Sequence, residues 1–293
     1  MKPRSKLHPY LMVAPTVLVL SVFFVVPLLR SLQLSFSHWD LLTPPEPAGL
    51  SNYDRLISSG QLLGVISRTV TFGAIVVVGS TSLGLLLAIL LNRQGRIYAF
   101  VRGAVFSAYV VSWVAVALLW MWLLDGDAGL VSRGFRAVGL PTTNWLGNPS
   151  TALYAIAAVT IWKITGYAMV IYLAGLTAIP PSLYEAAALD GAKRWSLFWH
   201  ITWPSLKPTT VFVATTGLIM SFQAFDVVRV MTQGGPAQST TLFVYAIYEE
   251  IFQNLRVGRA SALIVCFFVL LMGLTALNLR AFRQRTSSAE GTR

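Results

Sequence analysis

The chain has 293 residues, of which 55% are hydrophobic and only 11% are charged. Soluble domains carry roughly one quarter charged residues, so this composition excludes an ordinary soluble domain and indicates an integral membrane protein. The formal net charge is +11, but the Lys and Arg residues lie in short segments between apolar runs, which indicates membrane topology rather than nucleic-acid binding. The chain has one cysteine, Cys266, which lies inside an apolar run. Because a disulfide needs two cysteines and a cysteine metal cluster needs several, both are excluded within the chain.

Six apolar runs are long enough to cross a bilayer, which takes about 20 residues of helix. They are residues 11–29, 69–91, 103–124, 151–173, 208–228 and 259–279. Lys2, Arg4 and Lys6 before the first run resemble the start of a signal peptide, but no small-residue cleavage site follows, so this run is predicted to remain as a helix. Because lipid offers the backbone no hydrogen-bond partners, the runs predict an all-helical membrane protein with a single domain over residues 1–293.

The basic residues predict the orientation of these spans. They are concentrated in the two terminal segments and in the segments after the second and fourth spans. The positive-inside rule therefore predicts that both termini and these segments are cytoplasmic. The longer loops of the opposite set are predicted to face the exterior, with Trp39, Tyr53, Trp145 and Tyr154 as interfacial anchors.

The cytoplasmic segment 180–204, between the fourth and fifth spans, is too long for a simple turn. Ser182 followed three residues later by Glu185 predicts a capping box and the start of a short helix. Gly191 is suited to end that helix, because a residue without Cβ adopts the left-handed conformation at little cost. A second helix is predicted from about Lys193 until Pro204 stops it. Its apolar stripe consists of Trp195, Phe198 and Trp199.

The same segment carries a motif in which residue types and spacing agree. It contains, in order, Glu185-Ala186-Ala187, Gly191, Ile201 and Trp203-Pro204. This pattern resembles the EAA loop of permease subunits in binding-protein-dependent ABC importers, with Trp203 in place of the usual Leu. The resemblance implies a type I importer permease fold with cytoplasmic coupling helices, in the inner membrane of a prokaryote.

The resemblance also implies a role for the loop and a set of partners. In this family the loop docks in a groove of an ATPase and transmits its closure, so Glu185, Ala186, Ala187 and Gly191 are expected to make that contact. The alternative is that Glu185 only caps its helix and Gly191 only terminates it. The implied partners are a second homologous permease, two ATPase subunits that bind ATP and Mg, an extracytoplasmic solute-binding protein and membrane lipid, but no nucleic acid. The chain lacks a G-x4-G-K-[ST] phosphate loop, so it is predicted not to hydrolyse ATP itself. His8, His38 and His200 lie far apart and form no H-E-x-x-H motif, so no zinc site is predicted. The resemblance implies that the chain is no enzyme and holds no cofactor.

Two further segments bear on the solute. They are Phe225-Asp226 with Met231-Thr232-Gln233-Gly234-Gly235-Pro236, and Trp162-Lys163-Ile164-Thr165-Gly166-Tyr167. They resemble carbohydrate-uptake members of the family, most of all permease subunits for sn-glycerol 3-phosphate and glycerophosphodiesters. The alternatives are a permease for a neutral sugar or oligosaccharide and, beyond the family, a membrane-embedded lipid enzyme or a channel subunit.

Candidate residues for the solute path come from the fourth and fifth spans. They are Trp162, Lys163, Tyr167, Gln223 and Asp226, the last two near an outer gate. Lys163 lies near mid-membrane, where a Lys raises the free energy of membrane insertion by about 2.5 to 3.5 kcal/mol. It is expected either to face the aqueous path or to bond internally to a backbone carbonyl or a partner's carboxylate. The aromatic residues of the third span, Trp113, Trp120 and Trp122, are expected to contact lipid or another subunit.

Overall fold

The apolar runs become helices in the computed structural model, which describes residues 8–139 and 141–290. The helices are α1 (His8–Leu20), α2 (Val26–Leu34), α3 (Ser51–Ser58), α4 (Gln61–Leu91), α5 (Arg96–Val110), α6 (Trp113–Leu123), α7 (Leu130–Ala137), α8 (Ala152–Thr177), α9 (Pro181–Leu189), α10 (Arg194–Leu197), α11 (Trp203–Phe222), α12 (Asp226–Met231), α13 (Phe243–Tyr248) and α14 (Val257–Glu290). Strands β1 (Ser37–His38) and β2 (Glu46–Pro47) form one antiparallel pair. π-Helical turns lie at Ser21–Val25, Phe198–Thr202 and Glu249–Gln253. Lys2, Arg4, Lys6 and Arg293, on which the predicted orientation partly depends, lie outside the described residues.

The described residues up to Leu63 form one compact unit together with Ala246–Leu270. Its centre is Asn52, which is fully buried and donates from its side-chain amide to the carbonyls of Ser35 and Ser37, both at 2.9 Å. The backbone N–H of Val257 donates to the carbonyl of Trp39 at 2.9 Å. These bonds hold the β1–β2 pair between α3 and the start of α14.

Gly64–Tyr245 and the described residues from Leu271 onward form a second unit. Its central helix is α8, whose most apolar 18-residue window is 61% buried. Small residues let neighbouring helices approach α8 closely: a Cβ on Gly84 would lie 2.6 Å from that of Ala168. At the C-terminal half of α8, Met169, Tyr172 and Leu206 of α11 are buried in one apolar cluster.

Within residues 8–139 and 141–290, four helical stretches are long and apolar enough to cross a membrane. They are Tyr10–Leu34, Gln61–Leu91, Ala152–Thr177 and Val257–Leu277. The pair α5 and α6 makes a fifth if it is counted as one span. The prediction of six spans is therefore confirmed only in part, because the fifth predicted run is not among these stretches and the third counts only as a bent pair. Orientation and single-domain organisation stay predictions.

The third predicted span, residues 103–124, is wrong as a single helix. α5 ends at Val110, α6 begins at Trp113, and the two axes differ by 101°. Val111 and Ser112 between them have ψ angles of 144° and 139°, which are extended rather than helical. Two β-branched residues followed by Ser, a common residue before a helix start, are the only local signs of this break.

The fifth predicted span, residues 208–228, is displaced at both ends. α10 passes through the π-helical turn at Phe198–Thr202 into α11, and Pro204 lies in the first turn of α11 instead of ending a helix. Proline is tolerated at a first helical position because the N–H that it lacks has no partner there. At the other end α11 stops at Phe222, because Val227 and Val228 are buried where α12 packs against α6.

Candidate functional site

Two arrangements contain the residues that the sequence singled out. The first is the segment from Pro180 to Trp203, which we call the coupling element after the role that its motif predicts. Its first helix, α9, begins at Pro181 with Pro180 in the N-cap position and without a side-chain capping bond. The predicted capping box of Ser182 and Glu185 is therefore wrong. Pro181 replaces it, since proline has the backbone φ of a helix start and no N–H that needs a cap.

Gly191 ends α9 as predicted. Its φ is +76°, its N–H donates to the carbonyl of Ala188 at 3.1 Å, and the N–H of Ala192 donates to the carbonyl of Ala187 at 3.0 Å. This pair of bonds is the Schellman motif, which satisfies the last carbonyls of the helix. Glu185, Ala186 and Gly191 are exposed and Ala187 is half-buried, so this face of α9 is open to another molecule.

The second helix of the coupling element is α10, and the predicted aromatic stripe runs from it into the π-helical turn that follows. The rings of Trp195, Phe198 and Trp199 contact one another at centroid distances of 5.1 to 6.2 Å. Trp203, which stands where the motif has Leu, extends the stripe by packing on Trp199 at 6.4 Å. Trp195 remains 73% exposed.

The two ends of the coupling element are joined to each other by one side-chain contact. The hydroxyls of Tyr184 in α9 and Thr202 in the π-helical turn lie 3.0 Å apart. Tyr184 and Ile201 also pack against the apolar cluster that contains Tyr172 and Leu206. A displacement of α9 would therefore press directly on the core between α8 and α11.

The second arrangement is a cavity of about 150 Å³ between α5, α6, α11 and α12, which we call the polar cavity. Its polar lining comes from four side chains: Tyr109, Trp113, Gln223 and Asp226. Met220, Ala224, Phe225 and Val227 complete the wall. Of these eight lining residues none is Lys or Arg, so the cavity itself carries one carboxylate, one amide and three aromatic rings.

Gln223 and Asp226 thus line the same cavity but do not lie on one helix, and their predicted place at an outer gate stays a prediction. Gln223 is the first residue after α11, and Asp226 begins α12. Tyr167 reaches the same region indirectly, because its ring stacks on that of Tyr109 at 5.1 Å. Trp162 does not: it contacts Trp120 at 5.5 Å and lines a separate apolar cavity of about 710 Å³.

Lys163 is 1% exposed, so it lies inside the protein. Its ammonium donates to the carbonyls of Ala108 and Tyr109, both at 3.1 Å, and to the carbonyl of Val111. The nitrogen also lies 4.8 Å from the centre of the Trp113 ring. These contacts correspond to the internal hydrogen bonds that the sequence left open as one of two alternatives, and a direct contact between Lys163 and a solute stays untested.

Sequence reasoning missed Tyr109 and assigned Trp113 to lipid or subunit contact. In the structure both line the polar cavity, and Trp113 lies against Lys163. The available sign was that the two aromatics lie four residues apart on either side of Val-Val-Ser. That sign becomes readable only once the helix is known to break there.

The predicted solute segment 231–236 forms a tight loop after α12. Gly234 has a φ of +79°, and a Cβ there would lie 2.6 Å from the Tyr245 ring. The hydroxyl of Thr240 donates to the carbonyl of Gly235 at 2.7 Å. Glycine is thus required by both conformation and space, and the loop forms a rigid border beside α12.

Comparison with known proteins gives a consistent result. Residues 80–287 match the family model described as "Binding-protein-dependent transport system inner membrane component". The chain is 32% identical to the sn-glycerol-3-phosphate transport system permease protein of Agrobacterium fabrum, over 96% of each chain. It is also 32% identical to the trehalose/maltose transport system permease protein of Thermococcus litoralis, over 97% of each chain.

Among solved structures, the chain is similar to one in the bacterial alginate ABC transporter in complex with alginate pentasaccharide-bound periplasmic protein. The TM-score is 0.81 at 25% identity, with 94% of each chain covered.

Proposed function

Because the chain belongs to the family of inner-membrane components of binding-protein-dependent transport systems, we propose that it forms one half of the translocation path of an ATP-driven importer for a carbohydrate-type solute. One observation carries this proposal. α11 begins at the coupling element and ends beside the polar cavity. With 20 residues at about 1.5 Å each, it spans roughly 30 Å, the thickness of the hydrocarbon core.

α11 supplies a rigid connection between an energy input and a solute site. Glu185, Ala186, Ala187 and Gly191 contact the ATPase, and closure of the ATPases moves α9. The motion passes through Tyr184 and Thr202 to the start of α11, and the far end of the same helix carries Gln223 at the cavity. This is alternating access driven from the cytoplasmic side.

Membership of the family supports a larger assembly around the chain. A second homologous permease completes the path, two ATPase subunits bind ATP and Mg, and an extracytoplasmic binding protein delivers the solute. The chain is a multi-pass protein of a prokaryotic inner membrane with both termini in the cytoplasm. It performs no chemistry itself.

For the solute, we favour sn-glycerol 3-phosphate or a glycerophosphodiester, which the segments around Lys163 and Asp226 resemble and which the Agrobacterium relative is named for. A neutral sugar or oligosaccharide is the second candidate. One observation favours it: the polar cavity has a carboxylate, an amide and three aromatic rings, and its eight lining residues include no cation. Aromatic faces and neutral hydrogen-bond partners suit a hydroxyl-rich ring.

Reconstitution tests this proposal. The chain is co-expressed with the neighbouring permease, ATPase and binding-protein genes, purified, and placed in proteoliposomes. Uptake of labelled sn-glycerol 3-phosphate, glycerophosphocholine, trehalose and maltose is measured with and without ATP. We expect ATP-dependent uptake of at least one of them that requires the binding protein. Uptake without ATP would instead identify a channel subunit, and turnover of lipid by the isolated chain would identify an enzyme.

A further inference from the structure

The break between α5 and α6 leaves buried backbone carbonyls without a partner in their own helix. The last four carbonyls of a helix have no intrahelical partner. In α5 the carbonyl of Ser107 still accepts from the N–H of Val111 at 3.3 Å. The carbonyls of Ala108 and Tyr109, and that of Val111 in the break, accept from Lys163 instead.

An ammonium group has three N–H donors, and these three carbonyls match them one for one. Its positive charge also lies at the negative end of the α5 dipole, where a cation is favoured. Lys163 is 1% exposed. No donor is therefore left over for a solute, although the nitrogen lies only 4.8 Å from the ring of Trp113, which lines the polar cavity.

Tyr167 reinforces the same contact from one helical turn away. Residues four apart on a helix lie on one face, so Lys163 and Tyr167 point the same way from α8. Lys163 binds the carbonyl of Tyr109, and Tyr167 stacks on the ring of Tyr109 at 5.1 Å. Backbone and side chain of this cavity residue are thus both held by α8.

We infer that Lys163 is a positioning residue of the solute site: it fixes the break between α5 and α6 and so holds Tyr109 and Trp113 on the polar cavity, without binding the solute itself. The inference rests on the proposed function for the identity of the site. The free-energy cost of burying Lys163 is then offset by its hydrogen bonds to the broken helix and not by attraction of an anionic solute.

A solute-independent experiment tests the first half of this inference. Cys266, the only cysteine, is changed to Ser, and Ala108, which is 9% exposed, is changed to Cys. We expect the rate of labelling of this cysteine by a water-soluble maleimide to rise at least about tenfold when Lys163→Met is added. Lys163→Arg, which keeps the charge and the donors, should restore most of the protection. Lys207→Met is the matched control, because Lys207 is exposed on α11, and should leave the rate unchanged. Equal labelling with and without Lys163→Met overturns the inference, whatever the protein transports.

Transport kinetics test the second half. Lys163→Met should raise the KM for uptake by a similar factor for every solute that is transported, charged or neutral. In a Trp113→Ala background the same substitution should raise KM little further, because two residues that act through one contact are not additive. Selective loss of an anionic solute would instead make Lys163 a ligand, and a fall in abundance and basal ATPase activity without a change in KM would make it purely structural. Either result overturns the inference and leaves the proposed function intact.

Discussion

α5 packs closely on α8, so a side chain added at their contact should destabilise the protein. Gly166 lies between Lys163 and Tyr167 on α8. A Cβ at Gly166 would lie 2.9 Å from the Cα of Phe106 and 2.5 Å from the carbonyl oxygen of Val105. Both atoms are backbone, so no side-chain rotation can relieve the contact. Gly166→Ala should therefore force α5 and α8 apart.

Two opposing effects set the change in the free energy of unfolding for Gly166→Ala. Overpacking costs about 1 to 3 kcal/mol, and rigid backbone neighbours place Gly166→Ala at the upper end. Replacing Gly by Ala inside a helix regains about 1 kcal/mol. The net effect is a destabilisation of about 2 kcal/mol, which corresponds to a melting temperature lowered by roughly 4 to 8 °C if 1 kcal/mol shifts it by about 2 to 4 °C.

Gly103 provides the control on the neighbouring helix. It lies within α5, and a Cβ there would have no other atom within 4 Å. Gly103→Ala should therefore gain the helix term alone and raise the melting temperature by about 2 to 4 °C. The assay is thermal unfolding of the detergent-purified complex, followed by tryptophan fluorescence. If Gly166→Ala melted at or above the wild-type temperature, or if both variants shifted in the same direction, the reasoning from close backbone approach would be refuted.

Three further predictions concern the coupling element and the cavity. Gly191→Pro should abolish uptake at normal membrane abundance, because proline cannot adopt the φ of +76° at this position and removes the N–H that donates to Ala188; normal uptake would exclude the coupling role. Glu185→Lys should reduce co-purification of the ATPase without destabilising α9, since Glu185 is exposed and takes no part in a helix cap; an ATPase that still co-purifies and responds to loaded binding protein would contradict it. Asp226→Asn should raise the KM for uptake about tenfold, as expected for loss of roughly 1.5 kcal/mol from a charged hydrogen bond. The exposed loop residue Asp127, changed in the same way, should leave KM unaltered, and equal KM values in the two variants would remove Asp226 from the solute site.

The apolar runs and the EAA spacing determined the class of this protein without any structure. Lipid offers the backbone no hydrogen-bond partners, so a long apolar run that crosses the bilayer forms a helix, and run length alone predicts most of the spans. The end of α9 at Gly191 also depends on local sequence, since a left-handed residue after a helix needs no tertiary contact. For the same reason the termination of α9 was predicted correctly. The predicted capping box of Ser182 and Glu185 did not form because Pro180 and Pro181 start the helix with its N-cap two residues earlier. The Ser-x-x-Glu pattern alone does not show which of the two starts is more stable.

Tertiary structure decided which residues line the polar cavity, which is the proposed solute site. Nothing in Val110-Val111-Ser112 forces a bend of 101°; the break persists because Lys163, 52 residues away in sequence from Val111, supplies the donors that its carbonyls need. α11 stops at Phe222 because Val227 and Val228 find a buried place against α6. Both events depend on partners distant in the chain, which periodicity cannot reveal, and together they bring Tyr109, Trp113, Gln223 and Asp226 to one cavity.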